Sequence, residues 1–190
     1  MKIKKLAIML VFSLHPIASQ AITLCQPDQA KPVFNLMIER SKKMKDVAAT
    51  KFVHQQAIYD ATQEEAVLHK CVEVAKRFNL SVEKFQIFVQ LQMDFSKQIQ
   101  SYWIKFWKTH PKEAPKREEI QPIEQLRAQI GEIDLQLYST ISQFMKATHC
   151  QASELRPSFQ LMLSKSNETA QLHLLADMLL STLILQKERE

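Results

Sequence analysis

A single glycine in 190 residues constrains this chain more than any other feature. Tight hairpins draw on glycine for backbone at positive φ, so a chain nearly without it is poorly suited to a turn-rich sheet. Its abundant Gln, Lys, Glu, Leu and Ala are good helix formers. The expectation is an all-α protein. About 170 residues remain once the leader described next is removed, enough to bury one substantial core, so a single helical domain is expected. No internal repeat is visible.

Residues 1–21 read as an export signal and are set apart from the fold. Lys2, Lys4 and Lys5 form a positive start, Leu6 to Leu14 an apolar centre, and Ser19-Gln20-Ala21 a small-x-small cleavage site. The apolar stretch is too short to serve as a stable membrane anchor. The bulky Leu24 before Cys25 argues against lipoprotein processing. The mature chain would then be residues 22–190, in a periplasm or outside the cell. Three of the formal +5 charges are leader lysines, so the mature chain carries only +2. Basic and acidic residues are mixed along it without a basic block, and nucleic acid is not an expected partner.

Hydrophobic periodicity and breakers divide the remainder into six helical segments. They run over about 29–54, 62–79, 82–108, 123–147, 152–165 and 168–187. The second would begin through Asp60, with Thr62-x2-Glu65 as a capping box, and the third at Ser81. Pro111, Pro115 and Pro122 keep the stretch from Thr109 to Pro122 out of helix. The fourth carries a core stripe of Leu126, Ile130, Ile133, Leu137, Ile141 and Phe144.

The chemistry concentrates between Arg40 and Glu64. Arg40 and Lys51 are eleven residues apart, almost three helical turns, so they share one face about 16 Å apart. Leu36, Ile38, Met44, Val47 and Ala48 around them are apolar or small. Two cations against apolar surface, followed by Asp60, Gln63 and Glu64 at a helix start, suggest a pocket for a small anionic ligand. The alternative is an amphipathic helix whose cations snorkel to water. Ser96 and Gln100 lie one turn apart on the third segment, and taken alone read as polar helix surface. Arg127 lies one turn before Gly131. A mid-helix glycine costs about 1 kcal/mol against alanine, which a close approach of another backbone or of a ligand would explain.

Three cysteines leave one unpaired within a chain. Cys71 falls on the apolar stripe of Val67, Leu68, Val74, Ala75 and Phe78 and reads as a buried, inert thiol. Cys25 and Cys150 are therefore the expected bridge in an oxidising compartment. The six histidines show no metal-ligand spacing, and His149 beside Cys150 reads as incidental. The aromatic run from Tyr102 to Trp107 reads as a helix end packed in the core or at a subunit contact. A stacking or membrane face is the alternative. There is no Gly-rich phosphate loop and no nucleophile elbow.

Taken together, several stretches resemble one family. Phe34-x-Leu-x-x-x-Arg40, Met44-Lys45-Asp46-Val47-Ala48-x-x-Lys51 and Ile58-x-Asp60-x-x-Gln63-Glu64-x-x-Val67-Leu68 are similar to the exported, all-α (gamma-class) chorismate mutases. So are Gln92-x3-Ser96-x3-Gln100 and Leu126-Arg127-x-x-Ile130. The resemblance runs in order from about residue 33 to 134. It implies a helical bundle of the type II chorismate mutase kind, acting on chorismate without a cofactor or metal, and a homodimer. Arg40 and Arg127 would grip the substrate's carboxylates. Lys51 would reach the ether oxygen and a carboxylate, Gln100 would donate to the same ether oxygen, and Ser96 would support a carboxylate. Asp60 and Glu64 would position the ring hydroxyl. One position departs: the family usually has Arg where this chain has Gln63. Lys70, two turns further along that face, is a partial substitute. The family's usual partner cysteine near the C-terminus is also absent. A catalytically weak helical binding protein on the same scaffold is the alternative function.

Overall fold

The computed structural model describes residues 25–147 and 150–165. The expected leader, the expected helix at 168–187 and His149 lie outside the described residues. Five α-helices occur among the described residues: α1 (Lys31–Val53), α2 (Ala61–Phe78), α3 (Val82–Thr109), α4 (Ile123–Ala147) and α5 (Ala152–Ser164). No strand occurs among the described residues, so the all-α expectation from glycine scarcity holds.

Local chemistry accounts for the boundaries. A 3-10 turn over Pro27–Ala30 leads into α1, where Pro32 falls among the first positions, which have no helical N–H partner to lose. The chain leaves α1 through Gln55 at φ 55°. Helix α2 is entered through Asp60 as expected, but the expected capping box Thr62-x2-Glu65 does not form. Thr62 lies inside the helix, and the Asp60 carboxylate accepts the Gln63 N–H at 3.1 Å. An aspartate two residues earlier reaches the unpaired N–H groups first. Asn79 at φ 54° closes α2, with Leu80 N–H donating to the Ala75 carbonyl, an end that Asn tolerates better than most residues. The proline-rich stretch after α3 forms two single 3-10 turns, Pro111–Glu113 and Arg117–Glu119.

Helix α1 is the hub, packed against α3 and α4 over much of its length and against α5 near its start, while α2 packs on α3 and α4. One continuous apolar core joins them. Phe34, Phe85, Phe88, Leu126, Leu137, Ile141, Leu155 and Phe159 are fully buried, each contributing about 1.5–3 kcal/mol of transfer free energy. The expected α4 stripe faces inward, with only Ile130 half-buried. The Phe34 and Phe159 rings meet at 4.6 Å. A disulfide joins Cys25 to Cys150, with Cα atoms 4.7 Å apart, and so ties the segment before α5 to the segment that leads into α1. Cys71 is free and buried, and burial pushes its thiol up to about 11.

The aromatic end of α3 divides between interior and surface. Trp107 is buried against Phe52 and Trp103, Lys45 sits 4.0 Å over the Trp103 ring, and Tyr102 is exposed. Among the described residues no helix is long and apolar enough to cross a membrane.

Candidate active site

Helices α1 to α4 enclose a cavity of about 340 Å³. Arg40, Lys51, Asp60, Gln63, Glu64, Ser96, Gln100 and Arg127 all line it. They come from four helices and from positions up to 87 residues apart, counted from Arg40 to Arg127. Arg40, Lys51, Ser96 and Gln100 are 8%, 7%, 7% and 5% exposed. The snorkelling alternative for the α1 cations therefore fails, as does the reading of Ser96 and Gln100 as polar surface. Helices α1 and α3 pack face to face, which turns the Ser96–Gln100 edge inward.

Each cation is held by a distinct device. Arg40 donates from Nε to Asp134 at 2.7 Å and from Nη1 to the Ser96 hydroxyl at 2.7 Å. The Ser96 hydroxyl in turn donates to the Gln92 carbonyl, one turn back. Burial works against the Arg40 charge, but the neighbouring Asp134, helped by Tyr138, outweighs it and raises the guanidinium above its ordinary value. Lys51 donates from Nζ to the Ile58 carbonyl at 2.6 Å, so the ammonium closes the loop between α1 and α2. Burial, reinforced by Arg127, pulls Lys51 below the ordinary lysine value against the pull of Asp60 and Glu64. Arg127 reaches from α4 to the Asp60 carboxylate at 2.5 Å and bonds Glu124 within its own helix. The Gln63 N–H, with Arg127 and Lys51 adding to it, holds Asp60 below the usual carboxylate range.

Asp134 and Lys97, which the sequence did not single out, complete the cavity with Met44. Asp134 anchors Arg40, Met44 lies 3.9 Å from the Gln100 amide, and Lys97 bridges Glu64 and Asp94 at 2.9 and 3.0 Å. Desolvation opposes the Lys97 charge, but these two carboxylates prevail and raise it. An acid two turns beyond Arg127 on the α4 pocket face was the available signal for Asp134; Lys97, adjacent to Ser96, carried none.

The charge inventory defines what the cavity can hold. Arg40, Lys51, Lys70, Lys97 and Arg127 face Asp60, Glu64 and Asp134, a surplus of two positive charges. The three carboxylates pair with Arg127, Lys97 and Arg40 respectively. Lys51 and Lys70 form no direct ion pair among the described residues. The Gln100 Oε1 is buried without a hydrogen-bond partner, and its Nε2 touches only the weak acceptor Met44 Sδ. A buried amide left so poorly satisfied costs about 1–3 kcal/mol, and a polar ligand would offset it. Val47, Val67, Val89, Met93 and Ile130 supply apolar walls. Among the described residues no group of three or more His, Cys, Asp or Glu could hold a metal ion.

Fold and cavity together define an all-α bundle with an internal, doubly cationic pocket assembled within one chain. Solved chorismate mutases are among the proteins that share this fold. The secreted chorismate mutase of Yersinia pestis superposes with a TM-score of 0.66 at 24% identity, over 79% of this chain and 95% of that one. The chorismate mutase of Burkholderia phymatum gives 0.67 at 18% identity, over 84% and 96%. That of Burkholderia thailandensis gives 0.66 at 18%, over 83% and 98%. In sequence, the chain is 32% identical over 105 residues to the monofunctional chorismate mutase of Enterobacter agglomerans. That match spans 55% of this chain and 56% of the relative. No family model matches the chain. The family resemblance read from the motifs thus reappears in both sequence and fold.

Proposed function

We propose that this protein is an exported chorismate mutase, converting chorismate to prephenate without a cofactor. The observation that carries the reading is the convergence of Arg40, Lys51 and Arg127 with the poorly satisfied Gln100 in one pocket whose charge surplus matches a dicarboxylate. The reaction is an intramolecular rearrangement: one C–O bond breaks, one C–C bond forms, and no proton or group leaves the molecule. The protein's task is therefore to fold a flexible dianion so that its enolpyruvyl arm lies over the ring. Such orientation supplies several kcal/mol.

Arg40 and Arg127 take the two carboxylates, each held in place by a carboxylate of its own and suited to a bidentate grip. As the C–O bond lengthens, negative charge gathers on the ether oxygen. Lys51 and the Gln100 amide donate to it, stabilising the transition state more than the ground state. Ser96 fixes the Arg40 guanidinium and through it one carboxylate. Asp60 spends one oxygen on the α2 cap and the other on Arg127, so its role is to position Arg127. Glu64, held through Oε2 by Lys97, keeps Oε1 for the ring hydroxyl. Export rests on the leader at 1–21 and on the likeness to a secreted mutase. A homodimer is part of the same reading, and sedimentation showing only monomer at micromolar concentration would remove it.

The test is loss of chorismate absorbance on adding the purified mature chain. Turnover above background supports the reading. Folded protein that leaves chorismate intact would favour the binding-protein alternative, which the uncharged Gln63 at the pocket rim supports.

A further inference from the structure

The lone glycine of the chain sits in the pocket wall. Gly131 lines the cavity from the middle of α4, where glycine is an expensive choice for a helix. The structure offers no protein reason for it. A Cβ built at Gly131 meets no atom within 4 Å beyond its own helix backbone, so of the two explanations the sequence allowed, approach of another backbone is removed and approach of a ligand is left. Its backbone is right-handed helix with no positive φ, so conformation does not demand glycine either.

Its position along α4 is informative. Arg127 lies one turn before it, and Asp134, which anchors Arg40, lies one turn after it. These two residues are about 10 Å apart along the helix axis, and Gly131 falls between them. A dianion gripped at one end by Arg127 and at the other by Arg40 must carry its body across this stretch of α4. A side chain at 131 would project from that stretch into space that no protein atom occupies.

We infer that Gly131 is a specificity-determining residue: the missing side chain leaves a notch over which the ring of a cyclic dicarboxylate lies between the two arginines. The inference rests on the proposed function for the identity of the ligand. The notch itself follows from the cavity, the empty Cβ space and the flanking grips. Alanine in its place removes the helix penalty and, because the space is open, adds no clash within the protein. Folding and binding should therefore respond with opposite signs. That combination separates a ligand notch from a merely structural glycine.

The experiment compares wild type, Gly131→Ala and Gly131→Leu. It measures thermal unfolding, calorimetric binding of a rigid bicyclic dicarboxylate of chorismate's size, and chorismate turnover. Gly131→Ala should raise Tm by about 2–4 °C while weakening binding roughly tenfold, as expected for one methyl forced against a ligand fixed at both ends. Gly131→Leu should weaken it further. Unchanged affinity in both variants, with wild-type turnover intact, overturns the notch and leaves the reaction standing. Affinity that falls as predicted in a protein that does not consume chorismate overturns the reaction and leaves the notch. A wild type that neither binds the bicyclic dicarboxylate nor consumes chorismate overturns both. Should Gly131→Leu fail to fold, Gly131→Ala decides alone.

Discussion

Replacing Gln100 by glutamate tests where the transition-state charge is stabilised. Gln100 is 5% exposed, with Oε1 unpaired and Nε2 against Met44 Sδ at 3.9 Å. A carboxyl group placed there loses most of its hydration, which favours the neutral form and raises its pKa; the pocket cations oppose that rise. Only the protonated acid can donate to the ether oxygen, whereas the wild-type amide donates at any ordinary pH. In wild type, kcat/KM should therefore be nearly flat from about pH 6 to 9. In Gln100→Glu it should fall about tenfold per pH unit above the new carboxyl's pKa. The full loss should reach about 10²–10³-fold, the usual cost of one missing donor to a developing oxyanion, and should be regained in acid. The companion Gln100→Leu variant removes the poorly satisfied amide and should stabilise the ligand-free protein by about 1 kcal/mol, with the same loss of rate at every pH. Steady-state kinetics across pH, with circular dichroism as a check on folding, measures both. A Gln100→Glu profile as flat and fast as wild type, or a wild type that peaks sharply in acid, would refute the assignment of Gln100 as the donor.

Further outcomes follow from the remaining geometry. Burial holds Lys51 below its ordinary value of 10.5, so wild-type kcat/KM should decline on the alkaline side before pH 10.5; a rate constant through that pH would exclude protonated Lys51 from the reaction. Gln63→Arg should raise turnover or affinity if the rim lacks a cation, and leave both unchanged if Lys70 supplies it. Kinetics of Lys70→Ala separates those cases. The Cys25–Cys150 bridge closes 125 residues, and Cys25→Ser should cost about 2–4 kcal/mol in denaturant unfolding. No α5 residue lines the pocket, so turnover well below the melting temperature should survive that change; a lost rate in folded Cys25→Ser protein would tie α5 to the site.

Helix content and pocket position were legible because both follow from short-range spacing. One glycine, the prolines at 111, 115 and 122, and the apolar stripe of α4 set the helices to within a few residues. The eleven-residue interval from Arg40 to Lys51 marked the face of α1 that lines the cavity. Burial of Ser96 and Gln100 was not legible in the same way. On α3 alone they are polar residues one turn apart, and only the packing of α1 across them makes them interior. The bonds from Arg40 to Asp134 and from Lys97 to Glu64 span 94 and 33 residues; no local pattern encodes such pairs. The entry of α2 through Asp60 was legible, whereas the extra capping box was not ruled out locally, because Thr62-x2-Glu65 satisfies the capping rule on paper and only the path of the chain leaving α1 puts Thr62 inside the helix.

On the proposed function, charge placed in this pocket drives the rearrangement, and Lys51 is its most direct probe. Lys51→Met keeps the apolar stem and removes only the buried ammonium, so the fold should persist. Measured side by side with wild type on chorismate at pH 7.5, the variant should lose about 10²–10³-fold in kcat/KM. A folded Lys51→Met protein that consumes chorismate as fast as wild type would contradict the account.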